Sequence, residues 1–195
     1  MGLREKKAAR TRACIRDAAM QLFIEKGYDA TTVEEIAEAA EVGSSTVYRF
    51  YGSKESILMA DIPRHGIARA LRERGAQRPD EPIETALAHA IQAALAESNE
   101  QILVIRDILD RSPGPRAALW DIVGEDAVFL QETLAERMGK DPADLGVYLT
   151  ATLAIIIHSR AADQWRADPR AANVTQIGDS ILAALAETTV IIPRL

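Results

Sequence analysis

The chain has 195 residues, a formal net charge of −6 and a single cysteine, a length suited to one domain or two small ones. The acidic balance argues against a general nucleic-acid coat protein, and one cysteine excludes an internal disulfide and fits a reducing cytoplasm. Apolar residues make up 48% but aromatics only 5%; with abundant alanine, this favours closely packed helices over sheets.

The N-terminus is polar and basic, without the apolar run of a signal peptide. Arg4, Lys6, Lys7, Arg10, Arg12 and Arg16 stand against one acid, Glu5, so basic charge collects at the start of an otherwise acidic chain. Such an arm suits contact with phosphates. The segment from Thr11 to Thr32 reads as a first helix ending at Gly27-Tyr28. Cys14 lies near the edge of its apolar face, beside Ile15, Ala18, Leu22 and Phe23. Its basic neighbours would favour a thiolate, so a redox role competes with plain packing.

The run Thr31 to Leu58, TTVEEIAEAAEVGSSTVYRFYGSKESIL, is the most informative stretch. Thr32 and Glu35 have the spacing of a capping box, in which each side chain satisfies the other residue's backbone N–H. The helix they open carries Val33, Ile36, Ala37 and Ala40 on one face. Glu41-Val42-Gly43 interrupts it. A second helix starts near Ser44 and runs to about Tyr51, with Val47 and Phe50 or Tyr51 available to pack inward. Its other face holds Ser44, Ser45, Thr46, Tyr48 and Arg49, hydroxyls and a guanidinium suited to the major groove. The helix-turn-helix thus spans about residues 32–51.

Beyond it, Lys54 to about Arg74 reads as one helix bent at Pro63. Gly75 to Glu81 is a breaker-rich loop, and Pro82 is placed as the first residue of the next helix, with Ile83, Leu87, Ala90, Ile91, Ala94 and Leu95 on one face. Gln101 to Arg111 forms a helix ending at the Ser112-Pro113-Gly114-Pro115 breaker. A long segment follows from Arg116 to Met138, closed by Gly139. Asp141-Pro142 starts the next helix, and the last runs from about Val174 to Ala186. The stretch Gly146 to Ser159 lacks Asp, Glu, Lys and Arg and is apolar nearly all round. At fourteen residues it is too short to span a bilayer, and reads as a helix buried on more than one side. Leu149, Leu153, Ile156, Ile177, Ile181 and Leu185 would supply a four-helix dimer interface; a central core helix of a monomer is the other reading.

The register of Thr32, Ile36, Ala37, Ala40, Val42, Thr46, Tyr48, Tyr51, Ser53, Lys54 and Glu55 resembles the TetR family of transcriptional regulators, as does the preceding first-helix segment. The resemblance covers roughly the first third of the chain. It implies an all-α protein of about nine helices: an N-terminal three-helix helix-turn-helix domain over residues 1–58, and a C-terminal helical bundle over 59–195 for ligand binding and dimerisation. It assigns phosphate contacts to Thr32, Thr46, Tyr48 and Lys54, and base reading to Ser44, Ser45 and Arg49; Thr31 and Gly43, at the two helix starts, belong to the same surface. Three positions depart from the pattern. Glu41 stands where glycine is frequent, in a turn where positive φ is easiest for glycine. Gly43 stands where serine often caps, and Ser45 where glycine is common. All three fall where sequence is read, so no operator follows by analogy. The RSPGPRAALW and DQWRADP segments loosely resemble regulators of the mycofactocin-system type.

The expected function is that of a dimeric, cytoplasmic repressor on a palindromic operator, released by a small molecule, acyl-CoA-like or otherwise apolar. Activation remains open, and a helical small-molecule-binding protein without a DNA role is the rival of another class. His89, Arg106, Trp120, Phe129, Tyr148, His158 and Trp165 are the candidate ligand-lining groups, as polar or aromatic residues within apolar helices. No cofactor, metal or catalytic site is expected: His65, His89 and His158 are widely spaced, with no HExxH, nucleophile elbow, P-loop or dinucleotide fingerprint.

Overall fold

In the computed structural model, residues 2–98, 100–170 and 172–188 are described, with the side chains of residues 100 and 101 set aside. Among them the chain is all-α, without a strand. The helices are α1 (Leu3–Glu25), α2 (Val33–Ala39), α3 (Ser44–Tyr51), α4 (Lys54–Leu58), α5 (Gly66–Gln77), α6 (Ile83–Ala96), α7 (Glu100–Arg111), α8 (Pro113–Met138), α9 (Leu145–Ala167) and α10 (Val174–Ala186), with a 3-10 turn at Met59–Asp61. They group into two compact units: residues 1–62 with 99–121, and residues 63–98 with 122–195.

Local signals explain most element ends. Thr32 and Glu35 form the expected capping box: Glu35 N–H donates to Thr32 Oγ1 at 3.2 Å, and Thr32 N–H to Glu35 Oε2 at 2.9 Å. Ser53, Asp144 and Asn173 cap α4, α9 and α10 through their side chains. Gly139 ends α8 at φ 62°, a left-handed turn open to glycine without steric cost.

Three sequence expectations are corrected. Lys54 to Arg74 is broken rather than bent: after the 3-10 turn the chain is non-helical over residues 62–65, and His65 takes φ 57° before α5 begins. Pro63 removes a donor and disfavours helix at the residue before it, which ends the helix instead of kinking it. The Ser112-Pro113-Gly114-Pro115 sequence ends α7 at Arg111 as expected, but α8 already opens at Pro113 rather than at Arg116, because proline at the first helical position lacks only an N–H that has no partner there. Asp141-Pro142 lies in a turn, and α9 starts at Leu145 behind the Asp144 cap.

In the first unit Ile15, Ala19, Met20 and Phe23 of α1 are buried, as are Ile36 and Ala37 of α2, Val47 of α3, and Ile57 and Leu58 of α4. In the second, Ala90, Ile91 and Leu95 of α6 share a core with Leu130 and Leu134 of α8, Val147, Ala151, Ala154, Ile157 and Ala161 of α9, and Val174 and Ile177 of α10. Each fully buried Leu or Ile stabilises by about 1.5–3 kcal/mol. Gly178 lets α10 lie close on α6: a Cβ there would sit 2.6 Å from Leu95 Cδ1. The apolar Gly146–Ser159 stretch is part of a 23-residue helix, so length no longer argues against a span. Its buried residues recur at bundle spacing and join the core of α6 and α10.

Candidate nucleic-acid interface

The helix-turn-helix is built on a few buried anchors. Val47, 2% exposed, is the buried residue of α3 and holds that eight-residue helix on the unit's core. The turn before it passes through Glu41 at φ 54°, the left-handed conformation that the off-pattern glutamate was expected to have to adopt. Gly43 stands at the N-cap of α3, without a side chain to cap it.

Ser45, Tyr48 and Arg49 are exposed on α3, while Ser44 and Thr46 are partly buried at its start. The tyrosine is half-exposed, at 50%. The helix therefore offers hydroxyls at its N-terminal turn and a phenol and a guanidinium further along, a set able to reach phosphates and base edges. Thr32 is exposed but spends its hydroxyl within the capping box. That box is reinforced by Lys26, whose ammonium bonds Glu35 and, with the Thr32 N–H and hydroxyl, holds the carboxyl down to about 2.

One expected contact is corrected, and a second residue proves to have a structural duty as well. Thr31 is 2% exposed, and its hydroxyl donates to the Gly27 carbonyl at 2.8 Å, so it fastens the end of α1 rather than facing a ligand. Lys54 spends two of its three donors indoors, on the carbonyls of Tyr28 at 2.8 Å and Thr31 at 2.9 Å, with its ammonium 4.1 Å from the Tyr28 ring centroid. A lysine placed this way braces the α1–α2 turn and has one donor left for a phosphate. The Tyr28 hydroxyl donates to Glu55 at 2.9 Å, and burial, then that carboxylate, push its ionisation upward. Sequence reasoning had no signal for this brace, because it joins residues 26 apart.

Residues near α3 meet in ways that the sequence reading did not link. Arg12 of α1 lies against both Phe50 and Tyr51, and the Tyr51 hydroxyl donates to the Arg12 carbonyl at 2.9 Å. Phe50, which with Tyr51 was one of two alternatives for packing inward, also carries the Arg49 guanidinium, 5.3 Å from its centroid.

The seven candidate ligand residues are not brought together into one lining. His89, Trp120 and Tyr148 are exposed. Phe129 packs on the His65 ring at 4.4 Å and beneath Arg72. Arg106 and His158 are partly buried. Trp165 lines a groove of about 730 Å³, together with Ala96, Ser98, Arg170, Asn173 and Gln176, at the start of α10. Of the six interface candidates, Leu149, Leu153 and Ile156 form an exposed apolar stripe on α9. Ile181 and Leu185 are partly buried against the core. Ile177 is corrected: at 6% exposed it belongs to its own unit's core, because α10 turns that face toward α6 and α9.

Residues 15–60 match the family model for bacterial regulatory proteins of the tetR family. The HTH-type transcriptional regulator TcmR of Streptomyces glaucescens is 46% identical over 61 residues, 31% of this chain and 27% of that protein. The chain thus spans about a quarter of the length of the curated relatives it matches. Likeness in fold extends further. The crystal structure of NalD, secondary repressor of the MexAB-OprM multidrug efflux pump in Pseudomonas aeruginosa, superposes with a TM-score of 0.67 at 20% identity, over 92% of this chain and 96% of that one. A Thermus thermophilus FadR, a TetR-family repressor in complex with lauroyl-CoA, gives 0.58 at 25% identity over 94% and 97%. The likeness to the tetR family of bacterial regulatory proteins is thus carried by the N-terminal helix-turn-helix, over residues 15–60.

Proposed function

We propose that the protein is a cytoplasmic, dimeric transcriptional repressor that binds a palindromic operator through α3 and is released by a small molecule. The observation that carries this is α3 itself: pinned by Val47, it presents Ser45, Tyr48 and Arg49 outward from a rigid three-helix frame. A dimer covering a promoter blocks polymerase without any activating surface, which is why repression is preferred. DNA binding is assigned to residues 1–58, and effector binding and dimerisation to 59–195.

Dimerisation is supported by the exposed Leu149, Leu153 and Ile156, an apolar stripe that water solvates poorly. Two-fold pairing would also set two copies of α3 about one helical turn apart, roughly 34–36 Å. An acyl-CoA-like or other apolar effector is supported by the lauroyl-CoA held by the Thermus FadR. It would act only through its differential affinity for the two states of the dimer. The Trp165 groove is the place to look for it.

The test is titration of the protein against the DNA upstream of its own gene, with salt varied. Specific, salt-sensitive binding at an inverted repeat is expected. Binding no tighter than to unrelated duplex would overturn the proposal.

A further inference from the structure

Two arginines from different helices bear on one aromatic ring. Arg12, in the third turn of α1, places its guanidinium carbon 5.7 Å from the Phe50 centroid and 6.0 Å from that of Tyr51. Arg49 places its own 5.3 Å from the same Phe50 ring. The Tyr51 hydroxyl fastens the helices there, on the Arg12 carbonyl.

Among the described residues, neither Arg12 nor Arg49 is held by a carboxylate. One turn along α1, Arg16 is the contrast: it bonds Asp17 at 2.7 Å and Asp61 at 3.1 Å. So α1 pairs Arg16 with carboxylates and leaves Arg12 exposed beside α3. Two like charges at one ring repel each other. Ring faces attract both, and a guanidinium lying on a ring keeps the N–H donors of its edge unspent. What such a pair lacks is an anion with several acceptor oxygens.

We infer that Arg12 and Arg49, seated on Phe50, form a clamp for a single DNA backbone phosphate at the C-terminal end of α3. The inference rests on the DNA-binding function proposed above. It moves Arg49 from reading bases to holding the backbone, leaving base edges to the N-terminal turn of α3, which enters the groove. Phe50 becomes a positioning residue, acting through the two arginines.

Fluorescence anisotropy with a labelled operator and with an unrelated duplex, over a range of salt, tests this. Arg12→Gln is expected to weaken binding to both duplexes alike, by about tenfold, and to flatten the slope of log affinity against log salt by about 1. Arg49→Gln should do the same, and the double variant should lose less than the two single losses combined, because one phosphate is shared. Arg12→Lys, which keeps the charge, should restore the slope; it also serves as the informative variant if Arg12→Gln melts below the assay temperature. Phe50→Leu should mimic Arg12→Gln. Wild-type protein with no salt-sensitive DNA binding would overturn the parent function and the clamp together. Wild-type binding with an unchanged Arg12→Gln slope, a loss confined to the operator, or fully additive single losses would overturn the clamp alone.

Discussion

Val47→Ala is the sharpest probe of how the recognition helix is held. The side chain is 2% exposed, and α3 has no other buried residue. Removing two buried carbons at about 0.8 kcal/mol each costs about 1.6 kcal/mol. An unrelaxed cavity of about 50 Å³ at about 24 cal/mol per Å³ would add up to about 1.2 kcal/mol. Alanine's better helix propensity returns about 0.5 kcal/mol. The net expectation is a destabilisation of about 1–2.5 kcal/mol, larger if the site cannot collapse. Urea denaturation followed by circular dichroism measures it, and operator titration should show a parallel loss as α3 loosens. Val128→Ala, at a position 57% exposed, is the control and should stay within about 0.5 kcal/mol of wild type. A Val47→Ala protein as stable as that control, with wild-type operator affinity, would refute the anchoring argument.

Glu41→Gly should stabilise by about 0.5 kcal/mol, since relief of a left-handed residue outweighs the added freedom of the unfolded chain; a lower melting temperature would contradict the strain at φ 54°. Gly178→Ala should destabilise by about 1–3 kcal/mol through overpacking against Leu95 and Gln92, and a neutral result would show that α10 can shift. The Glu35 carboxyl, held to about 2 by Lys26 and then by Thr32, lies below its unfolded value of about 4.3. Its stabilising effect is therefore fully present above that unfolded value and is lost as pH falls towards 2. Acid titration of wild type against Glu35→Gln should give a stability difference that shrinks over that window. Parallel curves would mean that the Glu35 charge contributes nothing.

What was legible in the sequence was local. The Thr32–Glu35 box, the packed face of α2, the inward Val47, the glycine end of α8 and the bounds of α10 all follow from caps and periodicity within a few residues. Glu41 was flagged as a departure from the family pattern at a turn position where glycine is frequent, and its backbone there is left-handed. The misreadings share a cause in proline, whose effect depends on position: Pro63 ends a helix, Pro113 opens one and Pro142 sits in a turn. The interface was less legible wherever residues distant in sequence meet. Thr31 looks like a phosphate ligand in a one-dimensional register, yet its hydroxyl is spent on a carbonyl at the end of α1, and Lys54 braces the same region with two of its three donors. Ile177 matches the apolar spacing of an interface as well as that of a core, and only packing against α6 and α9 separates the two. The effector residues were chosen as polar or aromatic side chains in apolar helices, a criterion that also selects surface residues such as Trp120.

The most direct test of the central claim is a methylation-interference footprint on the DNA upstream of the gene, which reports guanine N7 atoms in the major groove. A dimer carrying two outward-facing α3 helices should give two symmetry-related clusters of interference, centred about 10–10.5 base pairs apart or a multiple of that. Interference at one unrepeated cluster, or none while the protein still binds, would contradict it.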